Sequence, residues 1–364
     1  MALADKVNAV IDAALVRRIV GCVVLVRREG RLVYSRAAGF ADREMSVPVK
    51  EDTIFRLASV TKPIAATTAL RMIDLGLLSL DDTVARYLPY FTPKAPDGST
   101  PDITIRQLLT HTSGLTYDIP ADVSRGSDNG ELMPLTENLR RLSRAPLAFM
   151  PGTKWTYGMS IDVLGGVLAE INHSDLEEVI GTYVTGPLHM DDTHFVVTDP
   201  ARLAYPYADG ENGGAPVRMK EPHPRPTDVP GKVEWFSPRR IFQRAAPQSG
   251  GSGMAGTAGD FMKLLEAVRG GFLKPQTRDM ALGNQIGDLP RDDAGQKFSF
   301  LGAWIEDPQA SGWPVAGMLH WGGVWGNNWI LEPKSATSVV VYTNTTVEGC
   351  NGPFREEVRD AVFR

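Results

Sequence analysis

The chain has 364 residues, of which 43% are hydrophobic and 22% charged. These proportions exclude a disordered or fibrous protein, and the length is enough for two modest domains with a sizeable core. The 38 basic and 43 acidic residues leave a net charge of −5, which argues against a nucleic-acid partner held through its phosphates.

Residues 4–17 place Val7, Val10, Ile11, Ala14 and Leu15 at helical spacing, which predicts an amphipathic helix. Two strand patterns follow at 21–28 and 31–39, joined by the turn signal Glu29-Gly30. Helical patterns then occupy 59–76, 104–110, 160–172, 174–184 and 257–269. Long polar and proline-rich stretches at 89–102 and 205–232 are expected to be loops that wall a pocket. Strand patterns return at 300–306, 316–320, 327–332 and 337–343, and a final helix is expected over 353–364. Strands at both ends and helices in the middle predict an α/β fold of the α+β type. Its antiparallel sheet is built from both chain ends and flanked by terminal helices. The expected sheet domain is 1–58 with 235–364, and the mainly helical domain is 59–234, with the site at their interface.

No apolar run approaches the length of a membrane span. The opening Met1-Ala2-Leu3-Ala4-Asp5-Lys6 lacks a basic-then-apolar leader pattern, so a cytoplasmic location is expected. Cys22 and Cys350 fit no metal or redox spacing, and Cys22 reads as a buried inert thiol. Gly251-Ser252-Gly253-Met254-Ala255-Gly256 matches G-x-G-x-x-G, but no strand pattern precedes it. It reads as a glycine turn leading into a helix capped by Thr257. His189 and His194 are five apart, off the spacing of a helical metal site. No metal or cofactor is expected.

Ser59-Val60-Thr61-Lys62 carries the chemistry. On a helix, positions three apart share a face, so a serine hydroxyl and a lysine amine would lie side by side at a helix start. That end of a helix offers unpaired N–H groups and partial positive charge, which stabilise a developing oxyanion.

The segment Phe55-Arg56-Leu57-Ala58-Ser59-Val60-Thr61-Lys62-Pro63 resembles the nucleophile region of the serine β-lactamase and penicillin-binding-protein superfamily, where S-x-x-K carries the nucleophile. Three further segments match in order. Leu108-Leu109-Thr110-His111-Thr112-Ser113-Gly114-Leu115 resembles a loop of the class C-like and esterase branch. Pro151-Gly152-Thr153-Lys154-Trp155-Thr156-Tyr157 resembles the approach to its tyrosine, and His320-Trp321-Gly322-Gly323-Val324 resembles the strand edge that closes the site. Within the superfamily the chain is most similar to the family VIII carboxylesterases. The resemblance implies a β-lactamase/transpeptidase-like fold, Ser59 as nucleophile and Lys62 with Tyr157 as the base pair. It also implies an oxyanion hole from the N–H groups of Ser59 and Val324.

A serine hydroxyl needs a base, and no histidine sits in a triad context. Lys62 could serve if burial or a positive neighbour lowers its pKa, and Tyr157 if the nearby lysine favours its phenolate. The two are expected to titrate as one unit. Two departures from the β-lactamase pattern bear on the substrate. Met159 stands where an asparagine would hold an amide side chain, and Trp321-Gly322-Gly323 replaces Lys-Thr-Gly, so the fixed lysine charge is gone. With Met159, Trp321, Gly322 and Gly323 expected to contact substrate, the implied function is hydrolysis of short-chain esters through an acyl-enzyme, with acyl transfer to an alcohol beside it. The alternatives are a β-lactamase or D-amino-acid amidase, and a catalytically weak penicillin-binding-like module.

Overall fold

The computed structural model describes residues 2–128, 130–226 and 233–364. Eight antiparallel strands form the main sheet: β1 Gly21–Arg28, β2 Arg31–Asp42, β3 Val47–Pro48, β4 Gln296–Phe298, β5 Ala303–Ile305, β6 Leu319–Gly323, β7 Asn327–Glu332 and β8 Thr337–Thr343. Their order is β4-β5-β6-β7-β8-β1-β2-β3, so the two chain ends meet where β8 pairs with β1, from Cys22 opposite Thr343 to Arg28 opposite Thr337.

The apolar runs of β1, β7 and β8 follow from burial on both faces, which removes the usual polar alternation. Val23, Leu25, Trp329, Leu331, Val340 and Tyr342 face one core, which they share with the helices of the chain's middle. Cys22, Val24, Val26, Ile330, Val339 and Val341 face the other. That second core lies under the terminal helices Leu3–Arg17 and Pro353–Phe363, which supply Val7, Ile11, Ala14, Phe354 and Val358. Each terminal helix brings one apolar stripe, so both chain ends are fixed by hydrophobic burial.

The strongest periodic segments lie where the pattern places them: the strands at 21–28, 327–332 and 337–343, and the helix Ser160–Asn172. Thr257 caps the helix Ala258–Gly270 by accepting from Asp260 N at 3.1 Å. Other expectations shift. The strand expected at 316–320 lies at Leu319–Gly323, and a strand at Gln296–Phe298 was not anticipated. The helix expected over 174–184 stops at Ile180 and widens over Gly181–Thr185. The stretch 205–232 is not a plain loop: Tyr207–Ala208 pairs with Val217–Arg218, and His223–Pro226 pairs with Val233–Phe236. Residues 227–232 of that stretch lie outside the described residues. No helix among the described residues is long and apolar enough to cross a membrane.

Candidate active site

The segment before the helix Thr61–Asp74 is held on three sides. Ile54–Arg56 pairs with Ala255–Thr257, Leu57 N donates to Met254 O at 2.8 Å, and Asn327 Nδ2 on β7 donates to Arg56 O at 2.6 Å. The buried Arg56 guanidinium adds hydrogen bonds to the carbonyls of Ala204 and Pro238. Ala58 then adopts φ +46°, a left-handed conformation that costs a residue with a Cβ about 1–3 kcal/mol. Ser59 follows in a tight turn, Ala58–Val60, that feeds the helix. The helix itself begins at Thr61, two residues later than the spacing suggests. The strained residue points the chain so that Ser59, only 7% exposed, still lines a cavity.

Lys62, 4% exposed, binds three oxygens. Its Nζ donates to Ser59 Oγ at 3.3 Å, to Tyr117 Oη at 3.0 Å and to Gly251 O at 2.7 Å. It also lies 4.6 Å from the centre of the Tyr157 ring. Tyr157 is wedged among aromatic neighbours, with ring centres 4.8 Å from His111, 5.5 Å from Tyr117 and 4.9 Å from Trp321. Two loops bring these rings together. Thr156 N donates to His111 O at 3.1 Å, Gly152 N to Thr112 O at 2.7 Å, and Ser113 and Ser160 share a hydroxyl bond of 2.9 Å. Gly158 is required here, because a Cβ would overlap the backbone of Leu115 and Thr116.

Sequence reasoning missed Tyr117 and the Gly251 carbonyl. Tyr117 lies two residues beyond the recognised loop motif, and nothing in its spacing from Lys62 marks it. Gly251 belongs to the glycine turn, whose packing against Lys62 only the fold reveals.

The charge balance around Lys62 also differs from expectation. Burial pushes the ammonium pKa down, but the phenols of Tyr117 and Tyr157 and the Asp162 carboxyl push it up further, to above the ordinary lysine range. Burial raises Tyr117 by more than Lys62 lowers it. Burial, with Lys62 and Arg291 nearby, holds His111 well below an ordinary histidine, so its ring is neutral.

The residues of the strand edge have distinct placements. Val324 lines the cavity, just beyond the end of β6. Gly323 lets β6 abut the segment that leads into Ser59, since a Cβ there would overlap the Leu57 carbonyl oxygen. Gly322 packs against Cys350 in the same way. Trp321 turns its indole N–H to Tyr157 Oη at 3.2 Å, and it does not wall the cavity. Met159 is wholly buried in the main core at the start of the helix Ser160–Asn172 and does not line the cavity.

The cavity measures about 480 Å³. Ser59, Tyr117 and Tyr157 lie on it together, and its apolar wall includes Ile119, Val123, Trp235, Phe236 and Val324. The ribbon ending at Phe236 thus forms part of the wall, whereas the stretch 89–102 contributes nothing to it. Arg225 and Glu234 face each other across that ribbon at 2.7 Å, with Arg125 at 3.6 Å from the same carboxylate. The volume falls within the range of small-molecule sites.

Esterase EstB of Burkholderia gladioli is 44% identical over 376 residues, which cover 99% of this chain and 95% of that protein. The solved structure of EstCE1, a hydrolase with promiscuous acyltransferase activity, matches with a TM-score of 0.92 at 39% identity, covering 100% of this chain and 98% of that one. A class C beta lactamase from Rhodobacter sphaeroides matches with a TM-score of 0.69 at 21% identity, covering 99% of this chain and 98% of that one, a likeness of fold. The family described as Beta-lactamase matches residues 7–362, and with the sheet, the helical middle and the buried serine–lysine pair in place, the chain belongs to that family.

Proposed function

We propose that the protein is a serine carboxylesterase that cleaves short-chain esters through an acyl-enzyme on Ser59. One observation carries this reading: Lys62 Nζ bridges Ser59 Oγ and Tyr117 Oη beside the Tyr157 ring, on the wall of a largely apolar cavity. A binding module has no use for a buried ammonium aimed at a serine hydroxyl.

In this mechanism Tyr157 enters as the phenolate, and Ser59 Oγ attacks the ester carbonyl while its proton passes to that phenolate oxygen. In this reading Lys62 keeps its proton, so its part is electrostatic. It stabilises phenolate character on Tyr157 and orients Ser59 Oγ. The indole N–H of Trp321 donates to the same phenolic oxygen, which also favours the anion. The N–H groups of Ser59 and Val324 receive the developing oxyanion. Collapse of the tetrahedral adduct breaks the bond to the alkoxy group, which leaves as the alcohol with the proton from Tyr157. Water then repeats the sequence on the acyl-enzyme and releases the acid.

Acyl transfer is the second outcome, with an alcohol in place of water. The apolar wall supports it, because it offers an organic alcohol a binding surface that water cannot use. The promiscuous acyltransferase activity of EstCE1 points the same way.

The test is mass spectrometry after incubation with a fluorophosphonate, run beside hydrolysis of p-nitrophenyl esters of rising chain length. A single adduct on Ser59 and fastest turnover of the short acyl chains are expected. An unlabelled Ser59 would favour the binding module and overturn the reading.

A further inference from the structure

Behind Lys62 runs a continuous hydrogen-bonded chain that ends on a buried carboxylate. Lys62 Nζ donates to the carbonyl of Gly251 at 2.7 Å. The N–H of the same peptide unit, on Ser252, donates to Ser249 Oγ at 3.0 Å. Ser249 Oγ in turn donates to Asp162 Oδ1. Asp162 sits in the first turn of the helix Ser160–Asn172, five residues after Tyr157, and is 1% exposed. Gly251 lies so close to its second oxygen that any Cβ there would overlap it. The glycine turn read as a simple loop is thus the connector between a carboxylate and the ammonium.

We propose that Asp162 is a positioning residue: its buried carboxylate, acting through Ser249 and the Gly251–Ser252 peptide, fixes the Lys62 ammonium beside Ser59.

The chain acts by polarisation. An anion accepting from Ser249 makes that hydroxyl oxygen a better acceptor for the Ser252 N–H. The peptide then carries more negative charge on its carbonyl oxygen and holds the ammonium more tightly. Links of this kind strengthen one another where the dielectric is low, and all four groups here are buried. Burial leaves the Asp162 pKa raised, opposed by the Lys62 ammonium and the hydrogen bond from Ser249, and Asp162 is the one carboxyl among the groups that raise Lys62. The other ionisable groups facing this pair are Tyr117, Tyr157, His111 and Arg240. Tyr117 is raised chiefly by burial, against Lys62. His111 is neutral, and the buried Arg240 gives one guanidinium hydrogen bond to Pro247 O. A lysine that must keep its proton through each turnover needs such a counter-charge out of reach of the substrate.

The inference rests on the assignment of Ser59 and Lys62 above, and the test separates the two. Asp162→Asn keeps the acceptor oxygen and removes the charge, and Ser249→Ala breaks the chain and leaves the charge. Both are measured for kcat, KM and the pH profile of kcat/KM with p-nitrophenyl butyrate, beside the parent enzyme and Ser59→Ala. Asp162→Asn is expected to lose about tenfold or more in kcat with KM nearly unchanged, consistent with disturbed proton transfer. Its alkaline limb should move at least about one pH unit lower, as the ammonium loses its counter-charge. Ser249→Ala should move the limb in the same direction by less, and it carries the test if Asp162→Asn fails to fold. An unmoved alkaline limb, with or without loss of kcat, would overturn the proposal and leave Asp162 a structural residue. Activity surviving in Ser59→Ala would instead overturn the esterase assignment.

Discussion

Lys62 reaches into three parts of the chain at once, with Ser59 one helical turn away, Tyr117 in a loop and Gly251 in a turn 189 residues on. A group shared in this way cannot be removed independently of its partners. Lys62→Ala and Tyr157→Phe are each expected to lower kcat/KM by about 10²-fold or more, and the double variant little further, because groups acting as a unit are non-additive. Additive losses in the same assay would show that the two act separately. Tyr117→Phe removes one acceptor for the ammonium and keeps the ring; it should cost about tenfold in kcat, on the scale of a single hydrogen bond to a charge. At this scale the sequence was legible where chemistry has a fixed spacing. The motifs single out Ser59, Lys62 and Tyr157, and the fold brings the three together, with Ser59 in the turn before the helix. Trp321 and Met159 misled, because a motif position says nothing of which way a side chain points. Trp321 turns toward Tyr157 and Met159 toward the core.

At the scale of elements, the site exists because a strand edge and a helix start approach closer than side chains normally allow. Gly323 is the point of closest approach, against Leu57 O. Gly323→Ala should destabilise the fold by about 1–3 kcal/mol, the usual cost of overpacking. It should also lower kcat, since the backbone that must yield leads directly into Ser59. A lowered Tm with kcat intact would show that the strain is absorbed away from Ser59. A second element contact gives a pH dependence. His194 Nδ1 lies 2.7 Å from Glu177 Oε1, and Glu177 Oε2 accepts from Phe195 N, tying the helix Leu176–Ile180 to the chain at 194–195. The Glu177 hydrogen bond raises the imidazole pKa against the opposing effect of burial. The folded state therefore binds that proton more tightly than the unfolded one. The stabilisation is complete below the unfolded value of about 6.5 and is lost as pH rises through the raised folded value. Tm should fall over that window by the equivalent of at most about 1 kcal/mol, and His194→Gln should remove this part of the slope. Long apolar runs and strong helical patterns were legible almost to the residue. Short strands such as Gln296–Phe298 and the ribbons within 205–236 were not, because their pairing is set by distant partners and carries too few residues to show a period.

At the scale of the whole molecule, the charges that surround the cavity decide which acyl compounds it turns over. A β-lactam brings an amide side chain and a carboxylate, and an enzyme that hydrolyses it well holds both. Position 159 supplies no donor, because Met159 is in the core. Position 321 supplies an indole already committed to Tyr157. The remaining cations are poorly placed to compensate. Arg291 is buried, with its guanidinium 4.5 Å from the centre of the Trp155 ring and 5.7 Å from that of Trp321. Arg125 and Arg225 both face Glu234. Each missing charge-assisted contact is worth about 1–3 kcal/mol, so two together should lower kcat/KM for a β-lactam by about 10²- to 10⁴-fold. A short ester of a neutral alcohol uses neither contact and loses nothing. Its leaving oxygen also departs more readily than an amide nitrogen. The comparison to make is nitrocefin against p-nitrophenyl acetate and butyrate under one set of conditions, with the esters expected to win by at least about 10²-fold. Equal kcat/KM for nitrocefin would mean that Arg225 leaves Glu234 to take the carboxylate. Arg225→Gln would then abolish the β-lactam activity while sparing the esters.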